Sequence, residues 1–126
     1  MAIGQKGWTA MTTAEVAAGL VGLCKEGKFD EAMEAYYGED IVSVEPMGPS
    51  LETVGLEAVR GKAEWWNNAH EVKSVEVEGP FVNGDQFTAV FHLDVVVKAD
   101  GKALHMDEVA LYTVAGGKIV REVFFF

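Results

Sequence analysis

FTAVFHLDVVVKADGKALHMDEVALY, residues 87–112, is the stretch that decides the fold. Along its first half, apolar residues occupy every second position, which is the period of a half-buried β-strand. Asp100 and Gly101 follow this run and predict a tight hairpin turn with two central residues. The stretch therefore predicts two antiparallel strands joined by a short turn.

A turn centred on Asp100 and Gly101 fixes which residues lie opposite each other. The predicted pairs are Phe91 with Ala110, Leu93 with Glu108, and Val95 with Met106. A sheet buries its more apolar face under its helices. We therefore expect eight side chains to point inward: Phe87, Phe91, Leu93, Val95, Met106, Glu108, Ala110 and Tyr112.

Glu108 is the acid on this inward face. Desolvation disfavours a charged carboxylate, so we expect Glu108 to have a raised pKa. Its carboxyl would then be wholly or partly neutral at pH 7 and able to donate a hydrogen bond. The alternative is an ion pair with a cation, for instance Arg121 on the next strand.

Three helices are predicted before this part of the chain. The first begins at a capping box formed by Thr12 and Glu15 and continues at helical spacing up to residue 27. The second is predicted over 29–37, with Gly38 as its C-terminal glycine. The third has four residues on one side at helical spacing: Val59, Ala63, Trp66 and His70.

Strands are predicted over 41–45, where Pro46 ends a β-branched run, and from residue 72 onward. Turn pairs at 83–84, 100–101 and 116–117 divide the second region into a four-stranded meander, and 46–55 is predicted to be a loop. Helices followed by a meander favour an α+β fold over a parallel sheet. With 126 residues, 49% of them hydrophobic, one domain over 1–126 is expected.

The formal net charge of −10 disfavours nucleic acid and anionic membranes as partners, because both are bound by clustered Lys and Arg. No run approaches the roughly 20 apolar residues of a membrane span, and the first ten residues do not resemble a signal peptide. A cytoplasmic location is therefore expected. Cys24, the single cysteine, lies on an apolar helix face and is expected to be inert. No phosphate-binding loop is found, and no cofactor is expected.

The outward face of the central hairpin is polar and carries four residues of metal-ligand type: His92, Asp94, His105 and Asp107. On a flat sheet such groups converge poorly on one ion, so no metal is expected there. A dimer surface is the favoured interpretation. The C-terminal Phe124, Phe125 and Phe126 support it, because alternation places an aromatic ring on each face of the sheet.

Four segments resemble the ketosteroid isomerase-like and SnoaL-like proteins of the nuclear transport factor 2-like superfamily. They are SVEPMG at 43–48, VRGKAEWWNNAHEV at 59–72, EGPFVNGDQF at 78–87 and MDEVALYTVAGGKIVREVFFF at 106–126. The resemblance implies a cystatin-like, cone-shaped α+β barrel in which three N-terminal helices pack on a curved antiparallel sheet. It also implies an apolar cavity for a small organic ligand and a homodimer formed through the outer sheet face.

The resemblance also implies roles for two acids. Glu45, which precedes a proline, matches the position of the isomerases' catalytic aspartate base. Glu108, four residues before Tyr112, matches their neutral aspartate, which donates to the oxyanion. The isomerases' second oxyanion donor is a tyrosine, and the matching position here is Leu20 or Val21, which argues against steroid isomerisation.

We therefore expect a small-molecule-binding SnoaL-like protein, an isomerase, cyclase or dehydratase that removes a proton next to a carbonyl. Glu45 would be the base and Glu108 the hydrogen-bond donor. The ligand would be small and apolar or carbonyl-containing, in a pocket shaped by Trp66, His70, Phe91 and Tyr112.

Alternatives stay open at this point. His70 could instead cap its helix or bond a backbone carbonyl, and Trp66 could serve core packing. The domain could also be a non-catalytic ligand-binding or dimerisation module, or have a filled cavity with a structural role.

Overall fold

The computed structural model describes residues 9–48 and 51–126. The first eight residues, on which the expectation of no signal peptide largely depends, and residues 49–50 of the predicted loop lie outside this description. Within the described residues there are three helices: α1 (Thr13–Lys25), α2 (Phe29–Tyr36) and α3 (Leu56–Ala69). The same residues form six strands: β1 (Tyr37–Val44), β2 (Glu52–Val54), β3 (His70–Asn83), β4 (Gln86–Val97), β5 (Ala103–Ala115) and β6 (Lys118–Phe125).

The strands form one curved, unclosed sheet in the order β2-β1-β6-β5-β4-β3. The predicted four-stranded meander corresponds to β3 through β6 and is confirmed. The sheet is mixed, because β1 runs parallel to β6 while the other neighbours are antiparallel. Helix α1 packs on β3 and β4, and α3 packs on β1. The α+β class is thus confirmed.

The start of α1 agrees with the predicted capping box. The Thr12 hydroxyl accepts from the Glu15 backbone N–H at 3.1 Å, and the Glu15 carboxylate accepts from the Thr12 N–H at 2.9 Å. These two bonds satisfy donors that the first helical turn leaves free. The helix then buries Val16, Ala17, Leu20, Val21 and Cys24 against the sheet.

Three element boundaries differ from the prediction. Helix α2 ends at Tyr36, and Tyr37 begins β1, four residues before the predicted strand. Helix α3 ends at Ala69, so His70 is the first residue of β3. The predicted loop 46–55 contains the short strand β2, which pairs with β1.

The predicted register of the central hairpin is wrong by two residues. Leu93 lies opposite Met106, and Glu108 lies opposite Phe91. The loop has four residues, 98–101, closed by the Val97 N–H bond to the Lys102 carbonyl at 2.8 Å. Because side chains alternate with a period of two, a two-residue shift leaves every side chain on its predicted face.

The inward face of β4 and β5 forms much of the core, as expected. Phe87, Phe91, Leu93, Val95, Ala110 and Tyr112 are buried, and Met106 and Glu108 are half-buried. Phe87 and Tyr112 stack with ring centroids 4.7 Å apart. The burial pattern confirms which face of the hairpin lies under the helices.

Candidate functional site

A cavity of about 320 Å³ lies between the helices and the inward face of the sheet. Most of its wall is apolar, including Leu20, Phe29, Met33, Trp66, Phe91 and Phe124. Its charged lining groups are the acids Asp30, Glu45, Glu108 and Glu122 and the cation Lys62. An apolar cavity with a few converging polar groups is the usual form of a small-ligand site.

Glu108 lies on β5 and lines the cavity. Burial, with added repulsion from Glu45 and Glu122, raises the pKa of Glu108 to about 7, while the nearby Lys62 opposes the rise. The direction is the one expected from desolvation. Arg121 is not its partner, because Arg121 is exposed and lies opposite Thr113, on the outward side of β6.

Glu45 follows the last residue of β1 and lines the same cavity. Its backbone N–H donates to the Leu51 carbonyl at 2.8 Å, which fixes the chain as it leaves the strand. Its carboxylate oxygen Oε1 is 3.4 Å from Nζ of Lys62, on α3. The structure therefore brings Glu45 and Glu108 to one cavity.

Glu122, on β6, is the most deeply buried acid of the site, with 3% of its surface exposed. One carboxylate oxygen accepts from the hydroxyl of Tyr37, and the other accepts from the hydroxyl of Ser43 at 2.7 Å. Desolvation raises the pKa of Glu122, while the two hydroxyl donors and Lys62 oppose the rise. Both donors are needed, since a buried carboxyl without partners is costly.

Lys62 connects Glu45 to the buried Glu122 through Ser43. Its ammonium donates to the Ser43 hydroxyl at 2.7 Å and contacts Glu45, and it lies 5.9 Å from the ring centroid of Phe124. A continuous polar chain thus runs from Glu45 through Lys62 and Ser43 to Glu122. This chain holds the cavity's acids in place from the side of β1 and α3.

The other predicted pocket residues differ in placement. Trp66, Phe91 and Tyr112 line the cavity. His70 stacks on Trp66 with ring centroids 4.5 Å apart, and its Nδ1 lies 2.9 Å from the Trp66 carbonyl oxygen. Among the described residues, the cavity wall does not include His70. His70 therefore bonds a backbone carbonyl, which was one of the alternative roles expected for it.

Three lining residues, and one residue that bonds two of them without lining the cavity, were missed from the sequence. Trp65 lines the cavity although 64% of its surface is exposed. Lys62 lies between Val59 and Trp66 at helical spacing, a pattern that could have placed it on the cavity side. Ser43 lies two residues after Ile41 on β1, so the alternation of the strand could have placed it on the same buried face. Glu122 was not recognised as an inward-facing residue, because the pairing of β5 with β6 shifts register and interrupts the alternation there.

Cys24 is buried at the cavity wall. Burial and the nearby Glu122 raise the pKa of its thiol to about 12, so the thiolate is not formed at neutral pH. The expectation that it is inert agrees with this environment.

On the opposite face of the sheet, polar residues of β3, β4 and β5 form a hydrogen-bonded row. Its members are Ser74, Glu78, His92, Asp94, His105 and Asp107. The observed register places an imidazole opposite each aspartate, His92 opposite Asp107 and His105 opposite Asp94. Flanking carboxylates, first Asp107 and then Glu78, raise the pKa of His92 to about 9. Ligand atoms of His92, His105 and Asp107 all lie within 4.8 Å of one another.

The curved mixed sheet, the three helices and the cavity between them define an α+β domain with the NTF2-like fold. The sequence pattern of the SnoaL-like domain matches residues 11–126, and the chain belongs to this family. No protein with a curated description matches the sequence. In the described residues, the helices are too short or too polar to cross a bilayer.

Solved structures share the fold of this chain. A Mesorhizobium loti protein, named as a proposed SnoaL-like polyketide cyclase with "carbohydrate phosphatase" in brackets, is 49% identical, with a TM-score of 0.88 over 92% of this chain and 100% of that chain. A proposed isomerase from Bacillus subtilis shares the fold at 19% identity, TM-score 0.72, over 90% and 88% of the two chains. An NTF2-like protein from Burkholderia xenovorans does so at 17% identity, TM-score 0.73, over 94% and 92%.

Proposed function

We propose that this chain binds a small apolar ligand that carries a carbonyl group and removes a proton from the carbon next to that carbonyl. Glu45 is the base, and Glu108 in its neutral form donates a hydrogen bond to the carbonyl oxygen. One observation carries the proposal: two carboxyl groups share the cavity in unlike surroundings. Glu108 has a pKa of about 7, whereas Glu45 lies beside the ammonium of Lys62. Such a pair can divide the work of acid and base.

The electron flow follows from this arrangement. The C–H bond breaks, its proton passes to a carboxylate oxygen of Glu45, and the electron pair moves to the carbonyl oxygen to give an enolate. Neutral Glu108 stabilises that oxygen. Return of the proton to a different carbon isomerises the ligand. Attack of the enolate carbon on a second carbonyl of the same ligand closes a ring, and the proton returns to the new alkoxide.

The apolar wall supports this reaction class. Trp66, Phe91 and Tyr112 give the cavity an apolar wall, and electrostatic interactions strengthen where a bound ligand displaces water from such a wall. The volume of about 320 Å³ is near the lower end of the roughly 300–1,000 Å³ of small-ligand sites, so the ligand would be compact. The cyclase name of the 49%-identical Mesorhizobium protein supports ring closure as the outcome.

The test is deuterium exchange at the carbon next to the carbonyl, followed by proton NMR on a panel of cyclic ketones and 1,3-diketones in D₂O. Glu45→Gln should slow exchange by about 10²- to 10⁴-fold, because an amide cannot accept the proton. Glu108→Leu should slow it by about 10²- to 10³-fold. Glu108→Gln should retain more activity than Glu108→Leu, because the amide still donates.

The control is Glu64→Gln, which removes an exposed acid from the same helix as Lys62 and should exchange at the wild-type rate. Wild-type rates in Glu45→Gln would overturn the assignment of the base. A wild-type protein that is thermally stabilised by a panel ketone but exchanges no deuterium would instead identify a binding module.

A further inference from the structure

We propose that His92, His105 and Asp107, on the outer face of the sheet, bind one divalent transition-metal ion of the zinc class. This site is separate from the cavity, because β4 and β5 present these side chains on the face opposite to Phe91 and Glu108. The proposal is independent of the activity proposed for the cavity.

The three side chains already converge on one point. Oδ1 of Asp107 lies 2.6 Å from Nδ1 of His92 and 2.8 Å from Nε2 of His105. Tetrahedral zinc, with bonds of about 2.0–2.2 Å to nitrogen and oxygen, needs its ligand atoms about 3.3 Å apart. The ligand atoms lie between 2.6 Å and at most 4.8 Å apart, so side-chain rotations that move each atom by about 1 Å would reach that spacing, with the fourth position left to water.

The second nitrogen of each imidazole is the stronger argument. Nε2 of His92 faces Glu78 at 2.6 Å, and Nδ1 of His105 faces Asp94 at 2.8 Å. A metal-bound histidine typically donates its other N–H to a carboxylate, which fixes the ring and strengthens it as a ligand. Both histidines here have this support in place, on the nitrogen turned away from the shared Asp107.

Asp94, the carboxylate that faces His105, has a hydrogen-bond donor of its own. The Ser74 hydroxyl donates to Oδ2 of Asp94 at 2.7 Å, so the carboxylate that orients His105 is itself held. A row of residues on three neighbouring strands thus orients both rings. Because a β-sheet fixes the spacing of its strands, these side chains stand on a rigid base.

The donor set decides the class of ion. Two imidazole nitrogens and one carboxylate oxygen suit Zn²⁺, Ni²⁺ or Cu²⁺, whereas Ca²⁺ and Mg²⁺ prefer oxygen ligands alone. The surrounding carboxylates of Glu78 and Asp94 and the net charge of −10 also favour a cation. Zinc is the probe of choice because its geometry is undemanding, and cobalt reports that geometry optically.

The experiment titrates the chelator-treated full-length protein with ZnCl₂ by calorimetry, and with CoCl₂ by visible absorption. One ion per chain should bind, with the intense visible bands of tetrahedral cobalt, and chelator should reverse both. His92→Gln and His105→Gln should each weaken binding by at least tenfold. Glu78→Gln should weaken it by about 10- to 100-fold while leaving all three ligands in place.

His70→Gln is the matched control, because it removes the remaining one of the chain's three histidines, outside the row, and should leave binding unchanged. Glu45→Gln should also leave it unchanged, since the cavity acids take no part. All the row's side chains stand on the outer face, and thermal unfolding curves will verify that each variant folds. Equal zinc affinity in the wild type and a His92→Gln/His105→Gln double variant would overturn the proposal, as would loss of binding in His70→Gln.

Discussion

The hydroxyl of Tyr37, the first residue of β1, donates a hydrogen bond to the buried carboxyl of Glu122 on β6. This bond joins two strands that run parallel, at the junction where the meander meets the N-terminal part of the sheet. Burial raises the pKa of both groups, and the Tyr37 hydroxyl is one of the two hydroxyl donors, with Ser43, that satisfy the Glu122 carboxyl. The site's most buried acid is therefore held by a residue that the sequence pattern assigned to a helix.

Tyr37→Phe should lower the free energy of unfolding by about 1–3 kcal/mol, because Glu122 loses one of its two hydroxyl donors without any change of volume. Urea denaturation followed by tryptophan fluorescence measures this difference. Tyr36→Phe is the control from the neighbouring position and should change stability by less than about 0.5 kcal/mol. Equal stability in both variants would mean that the Tyr37 bond contributes nothing.

The pKa of Glu108 predicts how stability varies with pH. The folded value is about 7 and the ordinary value 4.5, so between them the folded chain holds a proton that the unfolded chain releases. Stability from this group is therefore full below the ordinary pKa and is lost as pH rises through about 7. By pH 8 the loss should be on the order of 3 kcal/mol.

Comparison with Glu108→Gln removes this titration, because the amide does not ionise, while the buried Glu122, whose pKa is also raised, remains in both proteins. The variant's stability advantage should widen from pH 5 to pH 8 in thermal unfolding. Glu64→Gln provides the baseline for removal of an exposed acid. A constant difference between wild type and Glu108→Gln across this range would contradict a pKa near neutrality.

The alternation in 87–97 was sufficient to predict the meander and its buried face, because the period of a strand depends only on its own residues. The register was not predictable in the same way. Asp100 and Gly101 occupy the last two places of a four-residue loop instead of the centre of a tight turn. Glu108 kept its inward orientation because the error equals one pleat period.

Two of the cavity's acids could be identified from the sequence, whereas Glu122 could not. Glu45 and Glu108 were found from a local motif and from alternation, which both survive an error in register. Glu122 lies beyond an irregularity where the pairing jumps from Thr113 with Arg121 to Val114 with Ile119, so simple alternation loses its phase. Its partner Tyr37 lies at a junction of helix and strand, and only tertiary packing brings the two together.

The outer face predicts self-association through a second copy of this chain. Val109 is 37% exposed and Phe125 is 52% exposed, and they are adjacent in register, with Val90 on the other side of Val109. Val109→Asp should weaken dimerisation by at least tenfold in sedimentation equilibrium, because it places a charge within the apolar patch. Val54→Asp, an exposed valine on β2, is the control. A wild-type protein that stays monomeric at micromolar concentration would exclude this dimer.

Lys62 predicts how the cavity's acids respond when its cation is removed. Its charge opposes the rise in pKa at both Glu108 and Glu122, so Lys62→Met should raise the pKa of Glu108 further while keeping a chain of similar length. Carboxyl carbon NMR across a pH series measures the shift. Arg60→Met is the control. It removes a cation of the same helix that contacts Glu34 instead, and it should leave the pKa of Glu108 unchanged.

Because Lys62 also contacts Glu45 and donates to Ser43, its loss should slow deuterium exchange as well, through displacement of the base. A Glu108 pKa that falls or stays constant in Lys62→Met would show that the ammonium does not act on the cavity as its position indicates.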